Sequence, residues 1–291
     1  MITDGTYPLV LKLDGLAAGK GVVIGRTLAE AEAFGKRVFV DYVFGKQAQR
    51  IVLEQFIKGK ELSYVGLCDG RSFVPLASAV DYKRAGDANT GENTGGMGAL
   101  SPSPYCSPEL EKKIRERITT KLLTQLEREG IEYCGALYLG LMITETGDPY
   151  VLEFNARFGD PETQAVLPRL ETDFLTALEL TARGRLSEMQ PLKWKPESSV
   201  YVVGSAEGYP GKATAGDPIE GLENIDPQTM VFFAGVGEQS EALVTAGGRV
   251  LGVGALAGDV DEAKDRVYRT LKAIHWRGMH YRTDIGTLEV D

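Results

Sequence analysis

The chain has 291 residues, of which 43% are hydrophobic and 25% charged, with 32 basic against 41 acidic residues for a net charge of −9. That length accommodates two domains and a sizeable core, and the composition is that of a soluble globular protein, not a disordered or fibrous one. The acidic balance excludes nonspecific nucleic-acid binding by the whole surface, while leaving room for a local basic cleft for phosphates, and no apolar run approaches a membrane span.

In chain order, residues 7–13 read as a strand, followed by a Gly-rich loop and a short strand at Val22–Ile24. Thr27 and Glu30 form a capping-box signal for a helix over roughly 28–37. Arg50–Glu54 is a second strong strand, and further strands are expected at 62–68, 72–79, 135–145 and 150–154. Ser107-Pro108 opens a long helix whose Leu110, Ile114, Ile118, Leu122 and Leu126 recur every four positions as a core stripe, and Gly130 ends it. A third helix covers about 170–183. The polar, Pro-containing stretch 193–199 reads as a domain boundary. After it come short strands at 200–205, 230–235, 243–246 and 250–256, then a helix opened by Asp259 with Glu262 and lined by Ala263, Val267, Leu271 and Ile274.

Cys68, Cys106 and Cys134 are odd in number and widely spaced, so neither a disulfide framework nor a zinc site is indicated. Both histidines, His275 and His280, lie near the C-terminus, which excludes His-based acid–base chemistry at the centre of the chain. His275, between Ile274 and Trp276, reads as packed or capping. The N-terminus lacks a charged-then-apolar signal pattern, which makes the cytoplasm the default location.

Four stretches carry chemistry. Lys12-Leu13-Asp14-Gly15-Leu16-Ala17-Ala18-Gly19-Lys20-Gly21-Val22 is a hairpin loop almost without side-chain bulk; its amides can close over a polyphosphate while Lys12 and Lys20 supply charge. It is not a P-loop, because position 21 is Gly where Ser or Thr is needed. Ile51–Glu61 runs from a strand into an apolar link where Phe56 or Ile57 can stack on a purine, and Glu61 can accept from two ribose hydroxyls. Taken alone, that stretch reads better as an exposed charged turn. Asp81-Tyr82-Lys83-Arg84 and the Asn89–Ala99 loop fit either an anionic or polar substrate, or a solvated charged face.

The fourth stretch is Glu153–Gln164, after the short strand Tyr150-Val151-Leu152. Strand alternation puts Glu153 and Asn155 on one face, with Leu152 and Phe154 on the other, towards a core. Paired oxygen ligands suit a hard cation that shares its remaining sites with phosphate and water. Arg157 adds a forked, permanently charged donor for a phosphoryl group. The competing reading is a solvated strand end, with Arg157 paired to Asp160 on the surface.

These motifs, from Tyr7-Pro8-Leu9-Val10-Leu11-Lys12 through Asp81–Arg84, Asn93–Pro102 and Glu153–Gln164, resemble in sequence and order the phosphoribosylamine–glycine ligase (glycinamide ribonucleotide synthetase) family of the ATP-grasp superfamily. The resemblance runs from about Tyr7 to the C-terminus and includes Gly247-Gly248-Arg249-Val250-Leu251 and Asp284-Ile285-Gly286. It implies an α+β chain: a partial ATP-grasp fold over 1–192, with 1–62 as a mobile lid subdomain, then a small α+β C-terminal domain over 193–291. It also implies a carbon–nitrogen ligase of purine biosynthesis, which phosphorylates glycine with ATP and joins it to 5-phosphoribosylamine, using Mg²⁺ or Mn²⁺. By the same resemblance Lys12, Gly15, Gly19, Lys20 and Gly21 meet the ATP phosphates, Glu54, Phe56 and Ile57 the adenine, and Glu61 the ribose. Glu153 and Asn155 bind metal, Arg157, Lys83 and Asp160 are catalytic, and Asp81, Arg84, Asn93, Thr94, Gly95, Gly96 and Glu162 face glycine or the ribonucleotide. Membrane and nucleic acid are not expected partners.

The sequence departs from the family pattern at three points. The strand 136–142 has no second metal carboxylate, Leu13 replaces a smaller residue before Asp-Gly, and the family's nucleotide-fold N-terminal domain is absent before Tyr7. The expectation is therefore a fragment, a broken gene, or one half of a split enzyme whose missing N-terminal domain a separate chain supplies. Two alternatives stay open: an inactive ATP-binding remnant, and another ATP-grasp carboxylate–amine ligase.

Overall fold

The computed structural model describes residues 7–15 and 21–287. The chain divides after Lys58 into two compact units.

The first unit contains strands β1 (Leu9–Leu13) and β2 (Val22–Gly25), helix α1 (Leu28–Phe39) and strand β3 (Ile51–Gln55). The strands form an antiparallel sheet in the order β2-β1-β3. α1 starts where the sequence places it. The Thr27 side chain accepts from the Glu30 N–H at 3.2 Å, and the Glu30 carboxylate reaches back to the Arg26 N–H at 2.8 Å. Each contact satisfies a backbone donor left free at a helix start. Ala31, Phe34 and Val38 share one helix face and pack with Leu11 and Leu13.

The second unit opens with β4 (Lys60–Cys68), β5 (Phe73–Pro75), β6 (Val80–Asp81), β7 (Arg84–Gly86), β8 (Thr90–Asn93) and β9 (Gly98–Ser101). Helices α2 (Pro108–Ile114) and α3 (Thr120–Arg128) follow, then β10 (Gly135–Ile143), β11 (Pro149–Asn155), α4 (Glu162–Val166) and α5 (Phe174–Ala182). The remainder is β12 (Ser198–Ser205), β13 (Thr229–Phe233), β14 (Val236–Gln239), β15 (Ala242–Thr245), β16 (Arg249–Ala257) and α6 (Val260–Ala273).

Two sheets organise this unit. One runs β11-β10-β4-β5, and Leu110, Ile114 and Ile118 pack there with Leu62, Tyr64, Leu139 and Leu141. Between α2 and α3 the backbone forms a π-helical turn over Arg115–Thr119. A four-residue apolar spacing drifts around a helix of 3.6 residues per turn, and a widened turn takes up that drift. Leu122 and Leu123 consequently both reach the cluster. The other sheet runs β13-β16-β12-β9-β6, with Ser199 opposite Ser101. It is covered by α6, whose Ala263, Val267 and Leu271 meet Val200, Val202 and Val253. β6 and β9 thus join strands that lie beyond the polar stretch 193–199.

Some expected elements shift. The strand read over 72–79 contracts to Phe73–Pro75, and the helix read from 170 begins at Phe174. Asp173 is the reason for the second shift: its carboxylate accepts from the Thr176 N–H at 2.6 Å and caps that start. His275 is an exposed partner of Glu220 at 2.8 Å, not a packed or capping residue. Its neighbours Ile274 and Trp276 take the buried positions. Among the described residues no helix is long and apolar enough to cross a membrane.

Candidate functional site

In the first unit, β1 and β3 lie side by side with Val10 opposite Glu54 and Lys12 opposite Val52. That register puts Lys12 and Glu54 on the same face as diagonal neighbours. Lys12 Nζ lies 2.7 Å from Glu54 Oε2, with both side chains partly buried. Beyond the strand, the Leu13 N–H donates to the Gly21 carbonyl at 2.7 Å, and from Gly21 the described chain leads into β2. Phe56 and Ile57 are half-buried. Gly19 and Lys20 lie outside the described residues.

In the second unit, the end of β11 carries Glu153, Asn155 and Arg157. Pairing with β10 sets Glu153 opposite Gly140 and Asn155 opposite Tyr138. Asn155 Nδ2 donates to Glu153 Oε1 at 3.2 Å, so the two side chains share a face as strand alternation requires. The other face departs from expectation. Phe154 is 49% exposed and does not enter a core, because β11 is the edge strand of its sheet. Arg157 donates to the Phe158 carbonyl at 2.8 Å and stands over the Tyr138 ring at 5.9 Å. It does not pair with Asp160. Among the described residues, Glu153 and Arg157 hold no ion-pair partner, and no group of three or more His, Cys, Asp or Glu is placed to enclose a metal ion.

Asp160 is committed elsewhere. Its carboxylate takes a fork from Arg249, 2.6 Å to Nη2 and 3.3 Å to Nη1. Arg249 Nη1 also donates to the Gly95 carbonyl at 2.7 Å, and the Gly95 N–H donates to Tyr209 Oη at 2.9 Å. Residues of β16 and of the Tyr209 loop therefore fix the Thr94–Gly96 segment. Gly96 is required there: it sits at φ 107°, and a Cβ would stand 2.3 Å from Pro161 Cδ and 2.8 Å from Asp81 Oδ1.

Two residues after Asp160 in the chain, Glu162 is only 3% exposed. Its Oε1 accepts from Ser63 Oγ at 2.8 Å, and Ser63 Oγ in turn lies 2.8 Å from Tyr138 Oη. Ser63 of β4 bridges Ala79, two residues before Asp81. Asp81 Oδ1 is shut off from solvent and meets no hydrogen-bond donor among the described residues. Burial, and secondly the carboxylate of Glu162, push the Asp81 carboxyl well above the usual carboxylate range. Lys83 Nζ lies 2.6 Å from Glu61 Oε2. Burial opposes its charged form, but the carboxylates of Glu61 and Asp81 outweigh that and raise Lys83 above the ordinary lysine range. Glu61 is thus held by Lys83.

Arg84 and Asn93 face each other across the β7–β8 hairpin, where Arg84 Nη1 donates to the Gly91 carbonyl at 2.9 Å and Asn93 is exposed. Thr94 Oγ1 donates to the Lys83 carbonyl at 2.8 Å. The hairpin is anchored by the C-terminal segment: the fully buried Arg282 donates to Asn89 Oδ1 at 2.9 Å, and the Ala88 N–H donates to Asp284 Oδ2 at 2.8 Å. The sequence reading names Arg249 only within a motif and assigns no role to Ser63, Tyr138 or Tyr209. Their partners lie 75 to 154 positions away, so no local periodicity reports them.

Comparison with known proteins agrees with the motifs. Residues 1–163 match the family described as phosphoribosylglycinamide synthetase, ATP-grasp (A) domain, and residues 199–288 match its C domain. The phosphoribosylamine–glycine ligase of Vibrio parahaemolyticus is 43% identical over 280 residues, which is 96% of this chain and 65% of that protein. The same-named protein of Caldanaerobacter subterraneus is 42% identical over 96% of this chain and 66% of its own length. The chain thus spans about two thirds of these relatives. The crystal structure of phosphoribosylamine–glycine ligase from Thermotoga maritima superposes with a TM-score of 0.85 at 38% identity, over 95% of this chain and 68% of that one. The biotin carboxylase domain of Hydrogenobacter thermophilus 2-oxoglutarate carboxylase, at 20% identity and a TM-score of 0.69 over 94% of this chain and 58% of its own, shares the fold.

Proposed function

The chain belongs to the phosphoribosylglycinamide synthetase family, and from that premise we propose that it carries the ATP-grasp and C-terminal parts of an ATP-dependent ligase joining glycine to 5-phosphoribosylamine. The observation that carries this reading is the end of β11, where two adjacent oxygen-bearing side chains and an arginine without an ion-pair partner among the described residues stand together at an exposed strand edge. A carboxylate and an amide oxygen are hard donors that fit Mg²⁺ or Mn²⁺, so Glu153 and Asn155 are the residues to hold the ion. Bound there, the ion would offset the charge of the ATP phosphates.

In this reading Arg157 supplies a fork for the phosphoryl group as negative charge shifts onto its oxygens. Lys12 and the amides from Gly15 to Gly21 hold the polyphosphate, Glu54 to Ile57 the adenine and Glu61 the ribose. A glycine carboxylate oxygen attacks the γ-phosphorus, and ADP leaves. The amine of phosphoribosylamine then attacks the acyl carbon of glycyl phosphate, expelling phosphate and losing a proton to solvent. No Ser, Cys or His nucleophile is needed, because the acyl phosphate is itself the activated species. The protein's work is placement and charge stabilisation. Asp160 enters as the anchor of Arg249, and Lys83, Asp81, Thr94, Gly95, Gly96 and Glu162 form the substrate side, with Arg84 and Asn93 on the adjoining hairpin.

Calorimetric titration of the 291-residue chain with ATP, with and without Mg²⁺, tests the reading. Mg²⁺-dependent binding is expected, weakened at least about tenfold by Glu153→Ala. Absence of ATP binding, or binding indifferent to both Mg²⁺ and Glu153, overturns it. ADP release with glycine and phosphoribosylamine, set against other acid–amine pairs, then separates this ligase from related ones and from an inactive ATP-binding remnant.

A further inference from the structure

The first unit holds an open cavity of about 420 Å³, lined by Phe39, Tyr42, Lys46, Ala48 and Gln49. Sites for small molecules run from about 300 to 1,000 Å³, so this one has room for a small ring system. It lies on the α1 side of the sheet. Ala48 packs with Leu11, Leu13 and Phe34, while strand alternation turns Lys12 to the opposite face, so the cavity is separate from the Lys12–Glu54 pair. Around the end of α1 the chain exposes Phe39, Val40, Tyr42 and Val43, all large apolar side chains. Tyr42 sits at φ 51°, in the left-handed region that favours Gly or Asn. Backbone bonds close this turn: the Val43 N–H donates to the Arg37 carbonyl at 3.0 Å, and the Gly45 N–H to the Tyr42 carbonyl at 2.8 Å. Neither bond uses the tyrosine ring, so a glycine would make the same turn without the strain. What the tyrosine adds is its ring, 47% exposed, on the wall of the cavity.

We propose that this cavity is a binding site for a small planar aromatic molecule carrying one negatively charged group. The ligand's ring lies against Phe39 and Tyr42, and its anionic group meets Lys46. Among the described residues neither Phe39 nor Tyr42 pairs with another ring, so their faces are open for stacking. Among the same residues Lys46 has no ion-pair partner, and its Nζ stands 6.0 Å from the centre of the Tyr42 ring. Cation and ring therefore border the same space, and a ligand there meets ammonium donors and an aromatic face together. Gln49 Nε2 donates to the Lys46 carbonyl at 3.3 Å and braces the turn that carries the lysine. None of the lining residues is acidic, although the chain as a whole has a net charge of −9. The cavity thus favours an anion on a protein whose overall field repels one. The site uses none of the residues assigned to the ligase reaction.

The test is calorimetric titration of the whole chain with naphthalene-2-carboxylate, a flat ring system with a single negative charge. Saturable binding is expected, at least about tenfold tighter than that of naphthalene-2-methanol, which lacks the charge, or of cyclohexanecarboxylate, which lacks the flat ring. Tyr42→Gly removes the ring and relieves the left-handed strain. It should weaken naphthalene-2-carboxylate at least about tenfold while the thermal unfolding midpoint does not fall, a combination that misfolding does not produce. Lys46→Gln keeps a side chain of similar reach without the charge. It should weaken the carboxylate by a similar factor and erase its advantage over the neutral alcohol, with the alcohol's own affinity unchanged. Absence of saturable binding, equal affinity for the three compounds, or carboxylate binding that either variant leaves unchanged overturns the proposal.

Discussion

Glu153–Arg157 and Asp160–Glu162 are neighbours in the chain, yet they are built in opposite ways. The first trio is held by local geometry: Asn155 bonds Glu153 two positions away, and Arg157 bonds the carbonyl of the next residue. Among the described residues it has no ion-pair partner, and it stands ready for something from outside. The second stretch is bound by residues far along the sequence, with Arg249 on Asp160 and Ser63 on Glu162. The difference teaches what each can do. A charged group without a protein partner can bind a ligand at little cost in broken contacts, whereas one already in a fork acts chiefly by fixing its surroundings.

The sharpest way to break that comparison is at the trio. In a full-length family member, Glu153→Ala or Arg157→Ala should lower steady-state turnover by at least ~100-fold, the scale of losing one transition-state charge contact. Their thermal unfolding should barely move, since they make few internal contacts. Near-normal turnover of both variants would mean that the exposed trio is only a solvated strand end.

Gly96→Ala probes the knitted side. The left-handed backbone and the overlap with Pro161 and Asp81 should cost about 3 kcal/mol, readable by urea unfolding. A loss under about 1 kcal/mol would show that the segment pinned by Arg249 yields easily.

Asp81→Asn sharpens the comparison through pH. The folded carboxyl is held above its unfolded value of 3.8, so the unfolded chain loses its proton first as pH rises. The stability this proton supports is present below the unfolded value and lost as pH climbs towards the folded one. The Asn variant should therefore melt at a higher temperature than the wild type at neutral pH, with the gap closing towards about pH 4. A gap that widens in acid would contradict the burial of this group.

The smallest effect belongs to a purely local device in the other unit. Thr27→Ala removes the α1 cap and should cost about 1 kcal/mol in chemical denaturation. A negligible cost would mean that packing of Phe34 and Val38 alone sets where α1 begins.

What was readable from the sequence had a short range. The Thr27–Glu30 cap, the Leu110–Ile114–Ile118 stripe and the shared face of Glu153 and Asn155 follow from helix and strand periods, and the structure keeps each. The motifs placed the chain in its family for the same reason, since a motif is itself a local pattern. The exposure of Phe154 was not readable, because alternation separates the faces of a strand but does not say whether a neighbour covers them.

The π-helical turn at Arg115–Thr119 needed the sheet beneath it. The tie between Arg249 and Asp160 needed β16 and the 160–162 segment to be folded side by side. The isolation of Asp81 Oδ1 needed β6, Gly96 and Pro161 to close around it. By itself the sequence determined which side chains are available and which short segments present them. The tertiary structure alone decided which charges are paired and which remain open, because pairing depends on distances between segments scores of residues apart, and burial then sets how strongly each unpaired charge seeks a partner.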